Sequence, residues 1–282
     1  MATAATPARR PVTVAQVTAV DGDTVRRRPD RLVTEEPLEI RVHGPHEEPL
    51  PLAVTMRTPG NDFELAAGFC LTEGLVRDAD DIMTVEYCLG GRGEQEYNVV
   101  TVRLRNPVGA DVTARRFLTT SSCGVCGKAT IDDLEVRCDP VGTGPRVAAS
   151  VLASLGAQLA DGQSVFEATG GLHAAARFAV DGTRLALRED VGRHNALDKL
   201  IGDALFTRAV PLHDEVLLVS GRLGFELVQK AAVAGVSIVC AVSAPSSLAI
   251  DTARRFGQTV VAFLRGDRFN VYTHPERLDL DG

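Results

Sequence analysis

Hydrophobic and polar residues alternate near the start of the chain. Leu38, Ile40 and Val42 are separated by charged residues, and a second apolar run covers 50–56 after a turn at 44–46. A period of two is typical of strands with one buried face, and two such runs around a short turn predict a β-hairpin.

The following segments predict more elements of mixed type. The sequence at 58–62 predicts a turn and a helix N-cap, and 63–69 continues as a short helix. Two further strands are expected at 85–89 and 97–104, around a glycine-rich turn. This half of the chain therefore has an α+β pattern, for which we expect antiparallel pairing.

The pattern changes in the second half of the chain. A helix is predicted over 147–160, and Asp181-Gly182 between apolar runs predicts a hairpin turn. A helical pattern begins at Arg193, and short apolar runs then alternate with helical segments. The expected strands are 215–220, 237–242, 259–264 and 269–272, and the helices between them are 225–234 and 246–256. This alternation indicates a largely parallel sheet with helices on both faces.

These patterns suggest three parts. Residues 1–30, rich in Ala, Thr, Pro and Arg, are expected to be a flexible tail. Residues 31–145 would form the smaller α+β domain, ending in a loop at 119–128, and residues 146–282 the α/β domain.

Three predicted strands end in small and charged residues. The segments concerned contain Arg222, Ser243, Arg265, Asp267 and Arg268. Ligands of α/β sheets bind outside the carboxyl ends of strands, and arginine forks suit phosphate. These strand ends therefore predict a binding site for a nucleotide or another phosphate-bearing ligand. The alternative interpretation is that they are ordinary turns with surface arginines.

The loop at 119–128 carries Cys123 and Cys126, each followed by glycine, with Lys128 nearby. Thiolates are the nucleophilic form of cysteine, and a neighbouring cation favours them. The spacing suits a redox dithiol, half of a zinc site or a persulfide sulfur carrier, and two unreactive loop cysteines are the fourth alternative.

Composition narrows the classes of function. The chain of 282 residues is 45% hydrophobic and has a net charge of −7, which argues against general nucleic-acid binding. No apolar run reaches the roughly 18 residues of a membrane span, and no signal peptide is recognisable.

Cys70, Cys88 and Cys240 lie in apolar runs and are expected to be core residues. We expect a reducing, cytoplasmic location.

Two histidines lie beside the predicted strand ends. His173 precedes an apolar strand, and His194 opens a predicted helix. Either could act as an acid, a base or a ligand, but a hydrogen bond to a nearby carboxylate is the more common role.

Five segments, in order along the chain, resemble the signature motifs of the FdhD family, the formate dehydrogenase accessory sulfurtransferases. They are 122–128 (SCGVCGK), 169–175 (TGGLHAA), 189–202 (EDVGRHNALDKLIG), 243–249 (SAPSSLA) and 263–273 (FLRGDRFNVYT). The resemblance covers the chain from about residue 35 to its end.

The resemblance implies a sulfur carrier. A cysteine desulfurase would load Cys123 as a persulfide, with Cys126 as a second thiol. The sulfur would pass to the molybdenum or tungsten bis(molybdopterin guanine dinucleotide) cofactor before its insertion into formate dehydrogenase apoenzyme. The family's cofactor segment corresponds to Phe263, Leu264, Arg265, Gly266, Asp267 and Arg268. GDP would be a mimic of the ligand, and a homodimer is implied.

The resemblance also implies a three-layer, cytidine-deaminase-like fold for the C-terminal domain. Deaminase chemistry itself is not expected, because Ala174-Ala175 follows His173 where a zinc deaminase needs His-x-Glu. Two other hypotheses stay open at this point. One is a chaperone that binds the cofactor without moving sulfur, and the other is a structural zinc module.

Overall fold

The computed structural model describes residues 10–88, 96–109, 117–118 and 139–280. The strands are Val12–Asp21 (β1), Thr24–Val33 (β2), Glu36–His43 (β3), Leu50–Arg57 (β4), Ile82–Tyr87 (β5), Val99–Leu104 (β6), Phe117–Leu118 (β7), Val147–Ala148 (β8), His173–Ala179 (β9), Arg184–Asp190 (β10), Glu215–Val219 (β11), Ile238–Ala241 (β12), Thr259–Arg265 (β13), Arg268–Thr273 (β14) and Leu278–Asp279 (β15). The helices are Asp62–Thr72 (α1), Ala149–Gly162 (α2), Ser164–Thr169 (α3), Arg193–Phe206 (α4), Phe225–Val233 (α5) and Ser247–Phe256 (α6), with single 3₁₀ turns at Ala79–Asp81 and Pro275–Arg277.

The first large sheet has the order β5-β6-β3-β4-β7. The predicted hairpin is confirmed, since β3 and β4 pair antiparallel, as do β5 and β6. The expected antiparallel pairing holds for these two pairs but not for the whole sheet, because β6 lies parallel to β3 and β7 lies parallel to β4. The chain returns to β3 only after α1 and β5, and such a long crossover allows parallel pairing.

The second large sheet has the order β10-β9-β11-β12-β13-β14. Its strands alternate with helices as predicted, but the sheet is mixed rather than largely parallel. Only the β11–β12 and β12–β13 pairs are parallel. The tight turns after β9 and β13 return the chain beside itself, and a tight turn can only join antiparallel strands.

Two hydrophobic cores cover the two faces of this second sheet. The larger core includes residues of both large sheets and of the helices between them, with α1 packed against the first sheet and α4 against the second. The smaller core joins α2 to the opposite face, through Leu152, Leu155, Phe178 and Leu218. Helices on both faces match the expectation. The likeness to cytidine deaminases and the domain boundary at 145 stay predictions.

The N-terminal segment differs from the expected flexible tail. Strands β1 and β2 form an antiparallel hairpin in which Val12 pairs with Val33 and Asp21 with Thr24. Gly22 turns the chain with a positive φ of 56°. The prediction failed because neither strand has a buried residue: the alternating Ala15, Val17 and Ala19 of β1 are only partly covered, and half of the residues of β2 are charged.

The described cysteines have the expected structural character. Cys70 and Cys240 are fully buried, and burial raises the pKa of each thiol to about 12. Cys88 is only partly buried and donates its S–H to Thr101 Oγ1 at 3.2 Å. None of the helices in the described ranges is long and apolar enough to cross a membrane.

Candidate functional site

Three chain segments lie side by side at the carboxyl edge of β11, β12 and β13. The turn after β11 is hydrogen-bonded to the turn after β12. Leu223 N donates to Ala244 O at 3.0 Å, and Ser246 N donates to Leu223 O at 3.0 Å. Phe263 N donates to Ser243 O at 3.3 Å, which joins β13 to the same turn. The structure thus brings together the three strand ends that the sequence singled out.

The third strand end is a hairpin turn rather than a strand-to-helix turn. Strand β13 continues past β12, the chain reverses at Gly266 with a φ of 58°, and Arg265 pairs with Arg268 across the hairpin. Like charges on paired residues destabilise a hairpin. Neither guanidinium has a hydrogen bond or ion pair within the described residues. This pair is therefore suited to an anion.

A cavity of about 560 Å³ lies along this hairpin. Its lining residues are Phe263, Arg265, Asp267, Arg268, Phe269 and Asn270. The cavity combines two aromatic rings, two cations and one carboxylate, so it offers groups that suit a flat base, a phosphate and the N–H donors of a ligand.

The other predicted site residues do not line this cavity. Leu264 is only 1% exposed and packs in the smaller core, so a ligand could contact it only through its backbone. Arg222 is exposed and Ser243 is half-buried, in the two turns beside the hairpin. Cys123 and Cys126 lie outside the described residues.

Phe263 has a strained backbone. Its φ is +55°, in the left-handed region that bulky residues rarely adopt, and a register irregularity separates Ala262 from Arg265. The side chain is 38% exposed, although its two neighbours in sequence are buried. Strain of this kind clusters at functional sites, and here it turns an aromatic ring towards the cavity and solvent.

The segment 189–202 has mainly a structural role. Asp190 is fully buried, with Lys199 Nζ 2.7 Å from its carboxylate. Thr58 N donates to the same carboxylate at 3.1 Å, and Lys199 donates to Thr58 O at 2.8 Å. These contacts attach the end of β4 to the second sheet. His194 Nε2 lies 3.0 Å from Glu226, which confirms its interpretation as a hydrogen-bonding histidine.

His173 and Arg193 lie at the same edge of the second sheet. Strand β9 is antiparallel to both β10 and β11, so its first residue, His173, lies beside the carboxyl ends of its neighbours. Burial lowers the pKa of His173, and the charges of Arg193 and His194 lower it further. The imidazole is therefore neutral at pH 7.

His173 also lines a second cavity of about 560 Å³, between the sheet edge and helices α2 and α3. Its other lining residues include Leu159, Phe166, Ser220 and Val242. Sequence reasoning did not single out Arg193. Its place at the first residue of a helix, directly after a strand, was the available signal.

Sequence comparisons place the chain among known proteins. Residues 33–279 match the model of the FdhD/NarQ family. A protein of Nocardia farcinica named "Sulfur carrier protein FdhD" is 54% identical over 256 residues, covering 89% of this chain and 89% of that protein. A protein of the same name from Mycobacterium tuberculosis is 52% identical over 274 residues, covering 93% and 97%.

A solved structure has the same fold. It is described as a formate dehydrogenase accessory protein from Desulfotalea psychrophila, with a TM-score of 0.72 and 22% identity, covering 96% of this chain and 100% of that one. The family model and the curated relatives both cover most of the sequence, and the chain therefore belongs to the FdhD/NarQ family.

Proposed function

We propose that this chain is a sulfur carrier that serves the maturation of formate dehydrogenase. The observation that carries the proposal is a sequence identity above 50% to relatives named as sulfur carriers, over about nine-tenths of the chain. The chain also has the Cys123-x-x-Cys126 pair that this chemistry needs. We place the protein in the cytoplasm, where its thiols stay reduced.

The first step loads Cys123. Its thiolate attacks the outer sulfur of a persulfide on a cysteine desulfurase, and a new S–S bond forms on Cys123. The S–S bond of the donor breaks, and the donor cysteine leaves as a thiolate. This is the chemistry of thiol–disulfide exchange, so thiolate fraction and access control its rate.

The second step releases the sulfur. The Cys126 thiolate can attack the inner sulfur of the Cys123 persulfide, which forms a Cys123–Cys126 disulfide and expels hydrosulfide. The two thiols supply the electrons, and a cellular dithiol reductant then restores them. The hydrosulfide would become a ligand of the molybdenum bis(molybdopterin guanine dinucleotide) cofactor, which is the substrate.

The hairpin cavity is the proposed site for a guanine end of this substrate. The Phe263 ring would stack on the base, Arg265 and Arg268 would bind phosphate, and Asp267 would accept hydrogen bonds from guanine N–H groups. Leu264 and Gly266 would contribute backbone groups, and Arg222 and Ser243 lie in the neighbouring turns. GDP is the simplest mimic. Formate dehydrogenase apoenzyme and a second copy of this chain are the proposed partners.

Mass spectrometry of the intact protein tests the carrier role. After incubation with a cysteine desulfurase and free cysteine, the native protein should gain about one sulfur mass that a reductant removes. Cys123→Ala should gain none and should not support formate dehydrogenase maturation. Cys126→Ala should load and show a smaller loss of maturation, because a thiol of the cellular reductant can replace Cys126 in the release step. Full maturation by Cys123→Ala would contradict the carrier role.

The second candidate is a chaperone that delivers the cofactor without moving sulfur, and the hairpin cavity favours it. Calorimetry with GDP tests the cavity, since Arg265→Ala and Arg268→Ala should each weaken binding. Arg254→Ala is the matched control, because this exposed arginine of α6 forms its ion pair, among the described residues, with Asp251 of its own helix. GDP binding without sulfur loading would support the chaperone over the carrier.

A further inference from the structure

Two side chains cover the backbone of Gly221 at the end of β11. A Cβ atom at Gly221 would lie 3.2 Å from His173 Nδ1 and 4.0 Å from Arg193 Cδ. The ring of His173 and the stem of Arg193 therefore meet over this glycine. Neither residue belongs to the lining of the Arg265–Arg268 cavity.

Both side chains lack a partner among the described residues. The Nε atom of Arg193 is buried and has no hydrogen bond, and the imidazole of His173 likewise makes none within the described chain. Buried donors without a partner are rare in folded proteins. The nearby carboxylates are engaged elsewhere, because Asp190 pairs with Lys199 and Glu226 with His194.

The side-chain groups around Gly221 that have no partner among the described residues are mainly hydrogen-bond donors. Arg193 has a guanidinium fork, and a neutral His173 has one N–H. The Ser220 hydroxyl oxygen accepts from Ala174 N at 2.9 Å, which leaves its hydrogen available. An uncompensated, partly buried cation beside two neutral donors favours an oxyanion with several acceptor oxygens.

We propose that Arg193, His173 and Ser220 bind a phosphate group, at a subsite distinct from the hairpin cavity. The adjoining cleft of about 560 Å³, which His173 and Ser220 line, has room for the organic group that carries the phosphate. The inference rests on the proposed function only for the identity of that ligand, a guanine-dinucleotide cofactor. The anion chemistry stands on the geometry alone.

NMR spectroscopy of the native protein tests this subsite. The pKa of His173 is measured from its ring signal, with and without inorganic pyrophosphate as the probe. The signal is assigned as the one missing from His173→Asn. Pyrophosphate should raise the pKa of His173, since a nearby anion favours the imidazolium form. In Arg193→Gln without ligand, the pKa should already be higher, because the cation that lowers it is gone.

Calorimetry gives an independent measure. Arg193→Gln should weaken pyrophosphate binding by about tenfold to a hundredfold, as expected for loss of hydrogen bonds to a charged group. Arg193→Lys should recover part of the affinity, and the surface variant Arg254→Gln should bind like the native protein.

The results separate this inference from the proposed function. An unchanged His173 pKa with pyrophosphate, or equal affinity in Arg193→Gln, would overturn the subsite. GDP binding that depends on Arg265 but not on Arg193 would support the hairpin cavity and contradict the assignment of a guanine-dinucleotide cofactor to this subsite. Pyrophosphate binding that depends on Arg193, in a protein whose Cys123 takes no sulfur, would support the subsite and contradict the carrier.

Discussion

Gly68 of α1 and Gly202 of α4 allow the two helices to touch backbone to backbone. A Cβ atom at Gly68 would lie 1.9 Å from Asp198 O, and one at Gly202 would lie 1.9 Å from Glu64 O. Helix α1 packs on the first large sheet and α4 on the second. This crossing therefore sets the distance between the two halves of the protein.

Gly202→Ala should destabilise the protein. The methyl group would overlap a backbone carbonyl that cannot rotate away, so the helices must separate, at a cost of about 1–3 kcal/mol or more. Urea unfolding followed by circular dichroism measures the change.

The matched control is Gly156→Ala in α2, where no described atom beyond the adjacent turns of its own helix lies within 4 Å of the new methyl group. This substitution should stabilise the protein by about 0.4–1 kcal/mol, through lower entropy of the unfolded chain. Equal effects of the two substitutions would show that the helix crossing tolerates a side chain.

Lys199→Met should destabilise the protein strongly. Lys199 is 1% exposed and Asp190 is fully buried. Removing one partner of a buried ion pair leaves an uncompensated charge, which typically costs about 3–5 kcal/mol. The double variant Asp190→Asn, Lys199→Met should recover part of the loss in denaturant unfolding. A double variant as unstable as the sum of both single variants would argue against direct coupling.

Comparing Phe263→Gly with Phe263→Ala should separate the cost of the strained backbone at this position from the role of the ring in ligand binding. Glycine adopts a φ of +55° freely, whereas alanine does not, so Phe263→Gly should be more stable than Phe263→Ala by about 1 kcal/mol. Both variants lose the ring. If the ring stacks on the base, both should bind GDP at least about tenfold more weakly in calorimetry. Native affinity in both variants would exclude stacking by Phe263.

Removal of residues 1–33 should leave the fold intact. None of residues 12–33 belongs to either hydrophobic core; β2 contacts the short helix α3, and Val33 lies near Gly171. The thermal unfolding midpoint of the shortened protein should therefore stay within a few degrees of the native value. A large drop would show that the hairpin stabilises the sheet edge near His173.

Sequence patterns predicted those elements whose residues separate into apolar and polar positions. The β3–β4 hairpin has three alternating apolar residues that are fully buried, and Ser246 caps α6 by accepting from Ala249 N, as its sequence suggested. The β1–β2 hairpin has no buried face, so its sequence resembles a tail. Local spacing also could not show that β6 pairs parallel to β3, because strand partners are chosen by contacts distant in sequence.

The candidate site divides in the same way. The sequence by itself determined the family motifs, the cysteine pair and the aromatic and charged residues of the 263–268 segment, because residue type and local turn chemistry carry that information. Only the tertiary structure decided that Leu264 faces the core, that Asp190 and Lys199 join the two halves, and that His173 meets Arg193 over Gly221. Those relationships depend on sheet order and helix crossing, which bring residues together that are far apart in the chain.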